Sequence, residues 1–136
     1  MSREHYPYVW LGEDGILRID YGRHGRIDLS AIQSAYAQHM AITRQPLPVL
    51  IVGSGAVSST SEAEDYANGP EVSAVTLALA LVVSSPLMRL AAKLYLTYRK
   101  PPYPCRAFED EAGALRWLSS YVPAGARQAE AATPCP

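Results

Sequence analysis

The sequence contains few cysteines, no excess of charge of either sign and no long apolar run. Its two cysteines, Cys105 and Cys135, lie far apart, so we predict neither a disulfide framework nor a CxxC metal site, but two free thiols in a reducing cytoplasm. Twelve basic and thirteen acidic residues give a net charge of −1, which lacks the basic surplus typical of nucleic-acid binding. The balanced charge therefore predicts a protein that does not bind nucleic acid.

Long hydrophobic segments are also missing. The longest apolar run, Val72–Val83, is too short to cross a bilayer as a helix. The first residues carry no apolar core of a signal peptide. We therefore expect no transmembrane segment and a cytoplasmic location.

Enough apolar residues are present for one folded domain. Hydrophobic residues make up 49% of the sequence, which is enough to bury a core. The length of 136 residues suits one domain and is too short for two. We predict one α/β domain over residues 1–122. Residues 123–136 are small, polar and proline-punctuated, and we predict a disordered tail there.

The first predicted element is a β-hairpin. Tyr6–Glu13 and Ile16–Tyr21 are rich in aromatic and β-branched residues, and Asp14-Gly15 between them suits a type I′ turn. A two-residue turn would set Trp10 opposite Ile19 and Tyr8 opposite Tyr21 on the buried side.

Helices and strands alternate after the hairpin. Asp28 is predicted to cap a helix that ends near Thr43, and Ser61 a short acidic helix. Val49–Val52 is typical of a buried parallel strand. Large residues alternate with small ones over residues 72–83, which favours a strand over a helix because the two sets then lie on opposite faces. The first helix presents one apolar stripe, composed of Leu29, Ile32, Tyr36 and Met40.

The last third predicts a helix, a short strand and a final helix. Pro86 suits the first turn of a helix, Arg106–Phe108 a strand, and Asp110 the cap of the last helix. The order β-β-α-β-α-β-α-β-α predicts a mixed, mostly parallel sheet with an N-terminal hairpin and about four helices. The predicted core stripe of the Pro86 helix consists of Leu87, Leu90, Ala91, Leu94 and Tyr98, and the inward face of the last helix of Ala114, Trp117, Leu118 and Tyr121.

No residue set indicates catalysis. Gly53-Ser54-Gly55 lacks the lysine and the third glycine of phosphate-binding loops, and His5, His24 and His39 have no metal-ligand spacing. We predict no catalytic residue, no metal and no cofactor. A hydrolase that uses Ser54 or a neighbouring serine is the weakest alternative.

The most unusual segment is a hydroxyl-rich loop after the strand Val49–Val52. The carboxyl end of such a strand is where open α/β sheets bind ligands. The same residues are also ordinary turn formers and helix caps. The candidate docking residues are Ser58, Ser59, Thr60 and Glu62.

A run of basic residues follows with no acidic residue between its members. It is either a solvated helix face or a surface for an acidic partner, a phosphate or an anionic lipid. Met88, Tyr95 and Leu96 lie off the predicted core stripe and indicate a protein contact such as a homodimer. The basic surface candidates are Arg89, Lys93, Arg99 and Lys100, together with Arg106.

This order of elements, with serines after the third strand, resembles the STAS fold of bacterial anti-sigma-factor antagonists. The similarity covers residues 6–122 and extends to bacterial STAS-like proteins of unassigned function. The segments that carry it are Asp14-Gly15-Ile16-Leu17-Arg18, Ser84-Ser85-Pro86-Leu87-x-Arg89, and Lys100-Pro101-Pro102-Tyr103-Pro104-x-Arg106-x-Phe108 with the following Asp110-Glu111-x-x-Ala114-x-x-Trp117-Leu118.

The resemblance implies a non-enzymatic regulatory module with a protein partner. Antagonists of that family carry a phosphorylated serine in an Asp-Ser-(Ser/Thr)-Gly segment, and phosphorylation there acts as an electrostatic switch. The corresponding segment here is Val57-Ser58-Ser59-Thr60, in which valine replaces the aspartate and the glycine is missing. Ser58 and Ser59 are the candidate switch residues. The same subgroup is likened to CRAL-TRIO lipid-binding domains, which implies the alternative of a small-molecule or lipid carrier with an apolar ligand between sheet and helices.

Overall fold

A computed structural model describes residues 7–22, 26–52, 58–83 and 85–123. Within these ranges, seven strands and five helices follow one another. In chain order they are β1 (Tyr8–Leu11), β2 (Leu17–Asp20), β3 (Arg26–Ile27), α1 (Leu29–Ile42), β4 (Leu47–Val52), β5 (Ser58–Ser59), α2 (Ser61–Ala67), α3 (Pro70–Val75), β6 (Thr76–Val82), α4 (Pro86–Arg99), β7 (Cys105–Phe108) and α5 (Glu111–Ser119).

Five strands form one mixed sheet in the order β1-β2-β4-β6-β7. The β1–β2 pair is antiparallel, whereas β2, β4, β6 and β7 run parallel to one another. The two-residue strands β3 and β5 pair separately, in parallel. The predicted mixed, mostly parallel sheet with an N-terminal hairpin is confirmed, with five helices instead of about four.

The predicted hairpin register is wrong by one residue. Trp10 pairs with Arg18 and Val9 with Ile19, so the aromatic side chains of Tyr8 and Trp10 are about 40% exposed. The turn is longer than two residues, because Gly12 N donates to the Ile16 carbonyl at 3.0 Å. Within the turn, only Gly15 has positive φ, at 83°, whereas a type I′ turn needs two such residues.

The sheet separates two apolar cores. On one face, α5 places Ala114 and Leu118 against the buried residues Leu50, Ala78 and Ala80. On the other face, Ala35 of α1 belongs to the core formed with residues of β2 and β4. The inward residues predicted for the last helix are confirmed by the first of these cores.

The predicted strand over residues 72–83 begins late. Residues before Thr76 form the short helix α3, because Pro70 at its first position favours a helical start after Gly69. From Ala78 onward the predicted alternation holds: Ala78 and Ala80 are fully buried against α5, and Leu79 faces the opposite core. The prediction is wrong for Thr76, which lies on the same side as Leu79 because the pairing with β4 shifts register between Thr76 and Ala78. Small side chains on the α5 face allow the helix to approach the sheet closely.

Most of the helices begin directly after a residue whose side chain caps the first turn. Asp28 and Asp110 accept hydrogen bonds from Ala31 N and Gly113 N, as predicted. For α2 the cap is Thr60, which accepts from Ala63 N at 3.1 Å. The predicted cap Ser61 is instead the first residue of the helix.

The predicted core stripe of α4 is wrong. Leu87, Leu94 and Tyr98 are 74%, 63% and 88% exposed, and Leu90 is 53% exposed. The main contacts of α4 are with β7, at the edge of the sheet. None of the helices in the described ranges has the length and apolar composition of a membrane span. The predicted tail lies outside the described residues from residue 124 onward.

Candidate functional site

A cavity of about 190 Å³ lies between the sheet and the helices α1, α2 and α3. It exists because α1 and α2 present the small residues Ala35 and Ala63 toward the sheet. The sheet side and α3 contribute larger aliphatic side chains. Those that line the cavity are Leu17, Ile19, Val49, Ile51, Val72, Val75, Leu79 and Leu81, with Ile27 and Ile32.

Buried polar groups are inserted in this apolar wall. His39, only 4% exposed, has its Nε2 at 3.1 Å from the Gln45 carbonyl oxygen. Since a carbonyl can only accept, Nε2 carries the proton and Nδ1 is the acceptor nitrogen of the neutral ring. Burial lowers the pKa of His39 below its ordinary value of 6.5, because desolvation disfavours the imidazolium. The cavity therefore has a neutral imidazole in its wall near pH 7.

Two buried tyrosines also line the cavity. The Tyr103 hydroxyl donates to the Ala67 carbonyl at 2.9 Å and so ties the connector before β7 to the last turn of α2. Burial raises the pKa of Tyr103 and of Tyr21 well above the ordinary value, because the phenolate would be desolvated. Both rings stay neutral at any physiological pH.

The cavity meets the surface where β5 joins α2. Ser59 is exposed, and its Oγ donates to Glu64 Oε2 at 2.6 Å. Thr60 N donates to the Ile27 carbonyl at 3.0 Å, which holds this junction beside α1. Above the junction the rings of Tyr36 and Tyr66 meet edge to face, with centroids 6.2 Å apart.

The predicted docking residues are divided by this arrangement. Ser59 lines the cavity, Thr60 is used as a helix cap, and Glu62 is exposed in the first turn of α2. The backbone of Ser58 pairs with that of Arg26, while its side chain lies outside the described residues. The glycine-serine loop over residues 53–57, as well as His5 and His24, also falls outside the description.

The predicted basic surface lies elsewhere on the molecule. Arg89, Lys93 and Lys100 line a separate groove of about 580 Å³ between α4 and β7, together with Arg106. The side chain of Arg99 is outside the described residues. Arg89 donates to the Val83 carbonyl and lies 3.4 Å from Glu109. Ser59 and the basic residues thus lie in two different depressions.

Sequence reasoning missed the residues that give the cavity its polar groups. The apolar stripe predicted for α1 is only partly buried, and the most buried positions of that helix are Ala35 and His39. A helical period relates Ile32, Ala35 and His39, so the pattern contained a signal for an inward histidine. Tyr103, in a proline-rich connector, gave no such signal.

The hydroxyl and the imidazole of the site have separate partners. Ser59 bonds to a carboxylate, and His39 bonds through Nε2 to a backbone carbonyl, so neither contact is the serine–histidine pair of an acyl-transfer site. In the described ranges, no three metal-ligating side chains come together. What the arrangement offers chemically is an apolar pocket with neutral polar groups at its buried end, and with Ser59 and Glu64 in its wall where it meets the surface.

Comparison with known families accounts for most of the chain. A family model described as a domain of unknown function, DUF7793, matches residues 9–122. The chain belongs to the DUF7793 family. Among curated proteins, none matches the sequence.

A solved structure shares the fold. It is an uncharacterized protein of the DUF3478 family, with a SpoIIAA-like fold, from Shewanella loihica PV-4. At 17% sequence identity and a TM-score of 0.59, the match covers 82% of this chain and 91% of that one. The STAS-like fold expected for this DUF7793 chain is confirmed, whereas the antagonist function that the resemblance implies stays a prediction.

Proposed function

We propose that this DUF7793 chain is a non-catalytic binding module that holds a small apolar ligand between its sheet and its first three helices. The observation that carries the proposal is the cavity of about 190 Å³ with its mostly aliphatic wall. An apolar cavity of about 150 Å³ is dry and large enough for benzene. The predicted carrier alternative is thus the function that the geometry supports best.

The size and the wall define the class of ligand. A single aromatic ring or a short branched hydrocarbon matches the volume, whereas a long acyl chain would need the cavity to open. The neutral groups His39, Thr76 and Tyr103 provide places for one polar atom of the ligand. An uncharged ligand is favoured, since an ion would lose its hydration without gaining a charged partner at the buried end.

Toluene is a suitable probe of the cavity. We expect saturating toluene to raise the melting temperature of the wild-type protein, because a ligand that binds only the folded state stabilises it. Ala35→Leu inserts extra carbon atoms at a 4% exposed position of the wall and should abolish the shift. Ala37→Leu makes the same change at an exposed position of α1 and should leave the shift unchanged.

Two results would contradict the ligand proposal. One is a wild-type protein whose melting temperature does not respond to toluene, and the other is an equal response in Ala35→Leu and wild type. Native mass spectrometry of the purified protein adds an independent readout, since a ligand retained from expression appears as an added mass.

A second function is a regulatory docking site at the β5–α2 junction. Its support is the exposed Ser59, whose hydroxyl is hydrogen-bonded to Glu64 one turn into α2. Phosphorylation would remove this donor and set a dianion beside the carboxylates of Glu62 and Glu64. The resulting repulsion would change both the shape and the charge of this surface.

Acidic substitution tests the docking function. Proteins recovered from a native lysate with Ser59→Asp and with Ser58→Asp should differ from those recovered with wild type. Ser30→Asp, at an exposed position of α1, introduces the same charge away from the junction. Identical recovered proteins for wild type and both junction variants would refute a switch at this site.

A further inference from the structure

The outer side of α4 is a large apolar surface. Five of its side chains expose between 43% and 88% of their area to solvent, whereas a helix packed on a core normally turns such residues inward. We call these five residues the α4 apolar face. Its members are Leu87, Met88, Leu90, Leu94 and Tyr98.

The side of the same helix that faces β7 carries both cations and leucines. Arg89, Lys93 and Lys100 line the groove between α4 and β7. Leu90 and Leu96 line the same groove, whereas Leu87, Met88, Leu94 and Tyr98 lie outside it and are exposed to solvent. Such exposure is not expected for a surface helix in a monomer.

We propose that the α4 apolar face packs against the same face of a second copy of this chain. The five side chains expose on the order of 600 Å² per protomer, close to the roughly 800 Å² per partner of a standard interface. This exposed area also reaches the upper end of the range, about 300–600 Å², of the largest apolar patch on a typical monomer, and such patches are often binding sites. Contacts of neighbouring residues would add the remaining area.

Charge favours a second copy over other occupants. The five members of the face are all uncharged, so two copies meet there without like-charge repulsion, and a charged partner would gain little. An anionic lipid surface attracts a helix whose cations flank its apolar side. Here Arg89 lies 3.4 Å from Glu109, and Lys93 and Lys100 line the groove between α4 and β7.

The shape of the face also suits a twofold contact. A symmetric dimer requires one surface to be complementary to itself. Ala91 is exposed and lies midway along the face, between Leu87 and Leu94, where a small side chain allows two helices to cross closely. The cavity is lined by residues outside α4, so this contact is independent of the proposed ligand.

Sedimentation equilibrium of the full chain tests the proposal. We expect wild type, at tens of micromolar, to have twice the 14.8 kDa mass of one chain. Leu94→Glu and Tyr98→Glu should each halve this mass without changing the far-ultraviolet circular dichroism. Ile42→Glu makes a comparable change at an exposed position of α1 and should remain dimeric.

Three outcomes would overturn the proposal. The first is a wild-type protein that stays monomeric at the highest soluble concentration. The second is a dimer that both folded α4 variants retain, because its interface would then lie elsewhere. The third is a monomer that sediments with phosphatidylglycerol vesicles unless Leu94 is replaced by glutamate, which would assign the face to a lipid surface.

Discussion

The hydroxyl oxygen of Tyr103 lies 2.9 Å from the carbonyl oxygen of Ala67, across 36 positions of sequence. This bond closes one side of the cavity, because it fixes the connector before β7 to the end of α2. The carbonyl of Ala67 belongs to the last turn of its helix, where no backbone donor within the helix is available. One side chain thus satisfies a helix end and shapes the proposed ligand site.

Removal of that hydroxyl should destabilise the fold. Tyr103→Phe leaves the Ala67 carbonyl without its donor, and we expect a loss of about 1 kcal/mol in the free energy of unfolding. Urea denaturation measures the loss. Tyr98→Phe, at an 88% exposed position, is the matched control and should change the stability by less than about 0.5 kcal/mol. Equal stabilities of the two variants would show that the bond contributes nothing.

The hairpin turn should tolerate only glycine at position 15. Gly15 has φ of 83°, and a Cβ added there would lie 2.9 Å from Cγ1 of Val122. We expect Gly15→Ala to cost on the order of 1–2 kcal/mol from backbone conformation alone, and more from this contact.

A double-mutant cycle separates the two effects at this turn. If contact with Val122 contributes, Gly15→Ala should cost less in a Val122→Ala background than in wild type. Equal costs in both backgrounds would assign the whole effect to the backbone. A stability of Gly15→Ala equal to that of wild type would contradict the turn geometry itself.

Stability should fall as His39 becomes protonated. Burial lowers the pKa of the folded-state imidazole below 6.5, so folding favours the neutral ring. This contribution is complete above the unfolded-state pKa of about 6.5 and decreases as the pH falls below it. Between about pH 7 and pH 5, wild type should therefore lose more stability than His39→Gln, whose side chain does not titrate.

Urea midpoints at the two pH values measure the difference between wild type and His39→Gln. Parallel pH profiles of wild type and His39→Gln would contradict the prediction, as would a His39 pKa above 6.5 from nuclear magnetic resonance.

The Cys105 thiol should react slowly in the folded protein. Burial raises its pKa from 9.0 to about 12, which reduces the thiolate fraction at neutral pH by about a thousandfold. In a Cys135→Ser background, a disulfide reagent should modify Cys105 at least about tenfold more slowly than it modifies free N-acetylcysteine, because the loss of thiolate outweighs the higher nucleophilicity of a more basic thiolate. The same variant in urea should react at the rate of the free thiol. A native rate within tenfold of the free thiol would contradict the burial of this group.

Local sequence patterns predicted the elements that depend on near neighbours. Asp28 and Asp110 were found as caps because a cap bonds to a backbone amide three residues away. The hairpin was found from Asp14-Gly15, but its register was wrong by one residue. Gly12, Asp14 and Gly15 together form the turn, and the choice between turn types depends on the strands that flank it.

The orientation of α4 shows where local patterns fail. The helix is amphipathic, with an apolar stripe of Leu87, Leu90, Leu94 and Tyr98. An amphipathic pattern indicates only that the apolar stripe packs against some apolar surface, and does not identify that surface. Within one chain the sheet edge at β7 contacts another side of the helix, and of the stripe only Leu90 lines the groove there. The pattern was therefore correct about the stripe and wrong about what it faces.

The sequence alone determined the order of the five strands of the mixed sheet, the order of α1, α2, α4 and α5, and the small-residue side of β6, because each follows from periodicity and caps within a few residues. It did not predict β3, β5 or α3. Only the tertiary structure decided that α1, α2 and α3 enclose a cavity with His39 and Tyr103 in its wall, and that α4 leaves Leu87 and Leu94 exposed to solvent. Those features depend on how segments tens of residues apart pack together, and the free energy of that packing cannot be inferred from any single segment.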